Sequence, residues 1–496
     1  MNGADTVAFT YDPDGLITGA GAMTVARDPA TGLITGTTLG GVTDARTYNA
    51  FGERTGYVAS YDGTPLFQTQ DTLDGLGRVS ERTETISGAS HTYDYAYDPA
   101  GRLTQVTTDG TVTASYTYDQ NGNRLSKTTP SETELGTYDA QDRLLTYGKY
   151  SYTYTANGEL ATKTDTTTGQ VTTYGYDALG NLRSVALPDG RLIEYVIDGM
   201  NRRIGKTING QRVKGWLYRN SLRLAAEVDG NSQLTSRFVY GTTGVIPAYI
   251  VSGGNVYRVI SDGVGSPRAI TNVNDGTTGD RISIDEFGNV LDETTPGFQP
   301  FGFAGGLYDP DTSLVRFGLR DYDPSTGRWL SKDPTRFYFG ANMYLYSDAD
   351  PLNRLDSTGL GPQDRWYGMN DRDFQNWVHR EMKDPGQADF TKEELEQLYE
   401  DWQSLGKPGG DKRNKPRRGD QCKDSSDQIS DPDSELDPGT DPENGPANSP
   451  LHKFEGPGPW WDTGEPVNPM PAIPGIVGPT LPSIPSIPPI FVPAFP

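Results

Sequence analysis

The chain has 496 residues, 34% of them hydrophobic, with 60 Gly, 36 Pro, 28 Tyr and a formal net charge of −23. A single cysteine, Cys422, excludes an intrachain disulfide framework and cysteine-only zinc sites, and the three histidines, His91, His379 and His452, argue against a multi-histidine metal site. Residues 361–496 carry 24 acidic and 13 basic residues, which leaves −12 of the charge to residues 1–360, so neither part offers the basic surface that nucleic-acid binding by counterion release requires.

The N-terminal stretch MNGADTVAFTYDPDG has no basic segment followed by an apolar one, so no Sec-type signal is visible. No apolar run reaches the length of a transmembrane helix. The apolar C-terminal end, PAIPGIVGPTLPSIPSIPPIFVPAFP, is broken by proline every few residues and cannot span a membrane as a helix.

Residues 1–300 repeat themselves. YDPAGRLTQV starts at Tyr97, YDQNGNRLSKT at Tyr118, YDAQDRLLTY at Tyr138 and YDALGNLRSV at Tyr176, with looser copies at Tyr11, Tyr154 and Asp285. A recurrence every 20 or 21 residues, as between the copies at Tyr97, Tyr118 and Tyr138, marks a repeat architecture. Alternating Thr, Tyr and Val, as in TVTASYTYD, predicts strands at period two. Asp then opens a turn by bonding the backbone two residues on, Gly closes it where positive φ is cheap, and Arg or Asn followed by Leu starts the return strand. Such a hairpin cannot bury its apolar face alone, so neighbours must stack into one long sheet.

These copies resemble the Rhs, or YD-repeat, family, whose members wind such hairpins into a spiralling antiparallel sheet that forms a shell. The resemblance covers about residues 1–360 and implies a mainly β fold, as a complete or partial shell; a β-solenoid or an irregular sheet is the alternative. Residues 301–360 resemble the Rhs-associated core segment, through GLYDPDTSLVRFGLRDYDPSTGRW, then DP, GANMYLYSDADPLNRLD and GL. In self-processing members this segment carries an aspartyl-protease activity that cuts after the Leu of a DPxGL motif. Carried across residue by residue, the resemblance nominates Arg320, Asp321 and Asp333 as the catalytic group and Leu360–Gly361 as the scissile bond. Here the motif reads Asp356-Ser357-Thr358-Gly359-Leu360, with Ser in place of the usual Pro.

The chemistry expected of such a site is two carboxyl groups sharing one proton, one acting as base on water and the other as acid, with Arg320 orienting one of them. A plain hairpin turning at Asp323–Gly327 would instead pair Tyr322 with Arg328 and set Asp333 opposite Phe317. That would leave the two carboxylates about 13 Å apart along the strand. They can meet only if the chain turns back near Lys332–Pro334. Asp323 is expected simply to open a turn.

Residues 361–410 predict a helical hairpin. Phe374, Trp377, Val378 and Met382 form one apolar face; Thr391 and Glu394 form a capping box ahead of Leu395, Leu398, Tyr399, Trp402 and Leu405, and Gly406 ends the helix. His379 in this region is read as structural or exposed rather than catalytic. Residues 411–496 are low-complexity and acidic, with half of the 36 prolines in residues 431–496, as expected of a disordered tail.

Together these readings imply an Rhs-type protein that encloses its own C-terminal region as cargo and releases it by autoproteolysis, without a cofactor. The setting would be bacterial competition or toxin delivery, with a secretion-apparatus or toxin-complex partner and an immunity protein. It would be secreted or displayed at the cell surface by a route without a visible Sec signal. A non-enzymatic YD-repeat scaffold that binds carbohydrate or another cell, or an orphan fragment with an inactive tail, are the rival readings.

Overall fold

The computed structural model describes residues 6–361 except 242–243 and 338–339, together with the backbone of 363–364. The helical hairpin expected over 361–410 and the tail at 411–496 lie outside these residues. Residues from Phe9 to Glu293 form a 28-stranded sheet in which each strand pairs antiparallel with the next in the chain, from Phe9–Tyr11 to Val290–Glu293. The sheet is an open meander: among the described residues, no pairing joins its first strand to its last.

One face of the sheet is buried along most of its strands. In Met23–Arg27, for example, Met23 and Val25 are buried while Thr24 and Ala26 are exposed, the period-two pattern of a half-buried strand. The buried face mixes aliphatic and tyrosine side chains, as in the cluster of Leu144, Tyr152, Leu182, Ile193 and Tyr195. It also carries paired charges: Arg82 holds Asp71 through two hydrogen bonds of 2.7 and 2.9 Å. The meander bends until early strands meet late ones. Gly41 N–H donates to Val273 C=O at 2.9 Å, Arg258 pairs with Asp44 at 2.7 Å, and Arg268 with Glu84 at 2.6 Å. Gly40 has φ +58° and a Cβ there would lie 2.8 Å from the Val273 oxygen, so only glycine permits this approach.

The repeat motif has a physical meaning at each letter. Asp98 Oδ1 accepts the N–H groups of Ala100 at 2.9 Å and Arg102 at 3.0 Å, while Gly101 takes φ +85°. Arg102 returns to Asp98 Oδ2 at 2.6 Å and stacks over Tyr118 of the next copy, 5.1 Å from its ring centre. The Tyr118 hydroxyl donates to Leu103 C=O at 2.8 Å. The Asp device recurs at Asp74, Asp119, Asp139, Asp177, Asp198 and Asp285. The Tyr-to-carbonyl bond recurs at Tyr97, Tyr138 and Tyr218. At Tyr97, Tyr118 and Tyr138 the Tyr-Asp pair thus closes its own turn and ties it to the copy before. Tyr118→Phe, which removes only that hydroxyl, is expected to cost about 1 kcal/mol, read as a lower urea midpoint at unchanged slope.

The last hairpin turn of the sheet, at residues 285–289, reaches back to the middle strands. Glu286 accepts the Tyr116 hydroxyl, Asp285 pairs with Lys127 at 3.3 Å, and Phe287 packs edge-on against Tyr116 beneath Arg124. Burial, with the charge of Asp285 beside it, pushes the Glu286 carboxyl up to about 7 from its ordinary 4.5. The folded chain therefore holds this proton where the unfolded chain has lost it. The stabilisation is complete below pH 4.5 and is lost as pH rises through about 7. Glu286→Gln is expected to leave stability unchanged at pH 4 and to raise it at pH 8 by about 1–3 kcal/mol, measured by denaturant titration at both values.

Residues 301–360 build a separate four-stranded sheet from Leu307–Asp309, Leu314–Phe317, Arg320–Asp323 and Arg328–Trp329. Its core is aromatic: Phe303, Phe317, Tyr322, Trp329 and Tyr346 are all nearly inaccessible to solvent. It docks on the sheet edge that carries the Asp turns. Arg328 bonds Asn123 at 2.7 Å, Tyr344 bonds Gly158 C=O at 2.7 Å, and Arg316 bonds Asn181 at 2.9 Å. Tyr195 and Lys206 both bond Asp309.

Candidate self-cleavage site

The sheet at 307–329 and the returning chain at 356–361 place the nominated residues. Tyr322 pairs with Trp329 and Asp323 with Arg328, one residue off the register expected from the turn length. Asp323 does open the turn, accepting Ser325 N–H at 2.9 Å, but Gly327 at φ +68° closes it in four residues rather than five. Asp333 consequently does not face Phe317. The strand ends at Trp329 and the chain turns: Asp333 N–H donates to Met343 C=O and Arg336 N–H to Asp333 C=O, each at 3.0 Å.

Arg320 and Asp321 are neighbours on one strand and point to opposite faces. Arg320 is 2% exposed and gathers the site around itself. Its Nη2 lies 2.8 Å from Asp333 Oδ2 and 3.0 Å from Asp356 Oδ2. Its Nε donates to Gly359 C=O at 2.6 Å, Nη1 reaches Met343 C=O at 3.3 Å, and the guanidinium stacks 4.1 Å from the Trp329 ring centre. Burial lowers the Arg320 pKa, and the two carboxylates beside it oppose that shift.

Asp321 faces the other way, into the interface with the large sheet. Its Oδ1 takes Arg203 at 2.7 Å and its Oδ2 takes Arg316 at 2.8 Å. The contacts of Asp321 and Asp333 therefore have no group in common. Asp333 stands with Arg320 and with Asp356.

The bond between Leu360 and Gly361 lies among these groups. Asp356 Oδ1 accepts Leu360 N–H at 3.1 Å, and its Oδ2 accepts Gly361 N–H at 2.9 Å. Burial raises the Asp356 carboxyl above its ordinary value, against the pull of Arg320. On the other side, Asp333 Oδ1 accepts the Thr335 N–H at 2.7 Å and its hydroxyl at 2.6 Å, and that hydroxyl stands 3.5 Å from Leu360 C=O. The strip is seated by two glycines. A Cβ on Gly318 would fall 2.1 Å from Thr358 C=O, and one on Gly359, at φ +66°, 2.5 Å from Phe317 C=O. Ser357, in the place of the usual Pro, is buried.

Two members of this site, Asp356 and Thr335, were not singled out by their residue types. The signal that finds them is the one written across the repeat. Asp356 accepts the N–H four residues on, as Asp98 does, and Asp333 accepts the N–H two residues on. These are turn aspartates whose turns lie against a particular peptide bond. Among the described residues no group of His, Cys, Asp and Glu is arranged to hold a metal ion, and no helix is long and apolar enough to cross a membrane.

An open meander of Tyr-Asp hairpins with a compact core segment on its turn edge defines a YD-repeat shell protein of the Rhs type. The chain belongs to the family described as teneurin YD-shell, whose model matches residues 3–351. It is 29% identical to teneurin-3 of Danio rerio over 305 residues, 57% of this chain and 11% of that protein. It is 28% identical to the tRNA3(Ser)-specific nuclease WapA of Bacillus spizizenii over 262 residues, 51% of this chain and 11% of that one. Among solved structures, the crystal structure of TcdB2-TccC3 superposes with a TM-score of 0.55 at 17% identity, covering 71% of this chain and 21% of that one. At that identity the likeness speaks for the fold alone. The chain spans about a tenth of the length of the curated relatives it matches.

Proposed function

We propose that this protein is an Rhs-type shell segment that cuts its own Leu360–Gly361 bond once and thereby frees the region beyond Gly361 as cargo. The observation that carries the reading is the peptide bond itself, held between two carboxyl groups that one arginine bridges. Its nitrogen is on Asp356, and its carbonyl faces the Thr335 hydroxyl bound to Asp333.

The chemistry follows from these positions. Asp333, ionised and held by Arg320, takes a proton from a water molecule as the oxygen adds to the Leu360 carbonyl carbon. Asp356, whose carboxyl burial raises above its ordinary value, works in its acid form and gives its proton to the Gly361 nitrogen as the C–N bond breaks. Asp333 ends protonated and Asp356 ionised. The products are a Leu360 carboxyl group and a Gly361 amine. Asp321 acts from the opposite face of the strand as a positioning residue, its ion pairs with Arg203 and Arg316 fixing the strand that presents Arg320. A substrate tethered in place needs little further acceleration for a single turnover.

In this reading the sheet encloses the cargo, and the protein acts as a toxin-complex component outside the producing cell, with an immunity partner at home. Intact-mass measurement on freshly expressed full-length chain tests the reading. Two species meeting at Leu360–Gly361 are expected. A single full-length species in soluble, folded protein would instead make the molecule a YD-repeat scaffold for contact with carbohydrate or another cell.

A further inference from the structure

The three carbonyl groups that precede the candidate cleavage point are each met by a donor from a different place. Thr358 C=O takes Leu319 N–H at 3.0 Å, and Gly359 C=O takes Arg320 Nε at 2.6 Å. The third, Leu360 C=O, faces the Thr335 hydroxyl at 3.5 Å. The first two contacts seat the strip and are already short. The third is long, and it belongs to the carbonyl that becomes an oxyanion when water adds.

We infer that Thr335 is a catalytic residue of the self-cleavage, the donor that receives the developing negative charge on the Leu360 oxygen; the inference rests on the cleavage reading above. Asp333 presets the hydroxyl, holding both the N–H and the Oγ of Thr335 on a single carboxylate oxygen. The β-branched side chain has few χ1 positions, so the hydroxyl is kept beside Leu360 rather than turned to solvent. In the resting state the hydroxyl proton lies toward Asp333. As the carbonyl oxygen gains charge, a small rotation carries that proton to it, shortening a contact that is long beforehand. The same rotation frees Asp333 Oδ1 to accept the proton of the attacking water. No proton is transferred from Thr335, so the balance of the reaction is unchanged. One hydroxyl thus links the two events at the carbonyl: the charge forms only as the base becomes available.

The test is a time course of fragment formation after cell-free synthesis of the full 496-residue chain. Removing one such donor slows comparable reactions by about 10²–10³-fold, and Thr335→Ala and the isosteric Thr335→Val are both expected to show that loss. Thr335→Ser keeps the hydroxyl and is expected to cleave within about tenfold of the unmodified chain. Melting temperatures are taken in an Asp333→Asn background, where every variant is expected to stay whole, and Thr335→Val should lower them there only by the small shift that one lost hydrogen bond brings. Equal rates for Thr335→Val and the unmodified chain would overturn the role of Thr335 and leave the cleavage reading standing. A Ser variant as slow as the Ala variant would also overturn it, because the hydroxyl would then not be the operative group. An unmodified chain that never splits would remove both.

Discussion

Asp333→Asn is expected to leave the full-length chain whole at times when the unmodified protein has split at Leu360–Gly361, with a rate loss of about 10²–10⁴-fold. The change keeps the shape of the side chain and, with its oxygen toward Thr335, the bond from that hydroxyl; it removes the ability to take a proton and replaces the oxygen that accepts from Arg320 by an amide NH2. Asp356→Asn is expected to fail comparably for the opposite reason. The amide still sits at the Gly361 nitrogen but has no acidic proton to give the departing amine. The two variants separate by pH. With Asp356 present, cleavage should fall as pH rises through its burial-raised pKa, because the acid form is the working one. In Asp356→Asn the residual cleavage should lose that alkaline fall. Stopped-time intact-mass spectra across a pH series check both statements. An alkaline fall that persists in Asp356→Asn would assign the acid to another group.

Asp321→Ala is expected to be the most damaging single change to the fold of the core segment. It leaves Arg203 and Arg316, 1% and 3% exposed at their side chains, buried without the carboxylate that both engage. Removing one partner from a buried ion pair costs about 3–5 kcal/mol, since the remaining charge is neither solvated nor compensated. Loss of cleavage in Asp321→Ala should therefore come with a denaturant midpoint lowered further than in Asp333→Asn, where Arg320 keeps its second carboxylate, Asp356. Asp321→Asn, which keeps hydrogen-bond acceptance on one oxygen, is expected to fall between them in stability. If Asp321→Asn abolishes cleavage at unchanged stability, Asp321 is chemically active itself, as the family resemblance implies.

Much of the large sheet was legible because its code is local. An Asp that bonds the N–H groups two and four residues on, a Gly at positive φ and alternating Thr, Tyr and Val all act within a few residues, so the copies at Tyr97, Tyr118, Tyr138 and Tyr176 could be read as hairpins one at a time. The tie between copies was not legible: nothing in the string YD says that the tyrosine hydroxyl reaches the backbone of the preceding hairpin. The hairpin around Asp323 failed by one residue because loop length depends on whether Asp323 is counted in the turn or the strand, and one residue exchanges the faces of a strand.

The amino-acid sequence by itself determined a mainly β chain of turn-closing aspartates, and it determined which short segment carries the acids, the arginine and the Gly-Leu strip. Which acids meet was decided only in three dimensions. Alternation along the strand sends Arg320 and Asp321 to opposite sides, and the turn after Trp329 brings Asp333 to the arginine's side. The return of residues 356–361 over Gly318 then adds Asp356. Turn formation is governed by neighbours in the chain, whereas the partner of a buried charge is governed by which distant segments pack against its face.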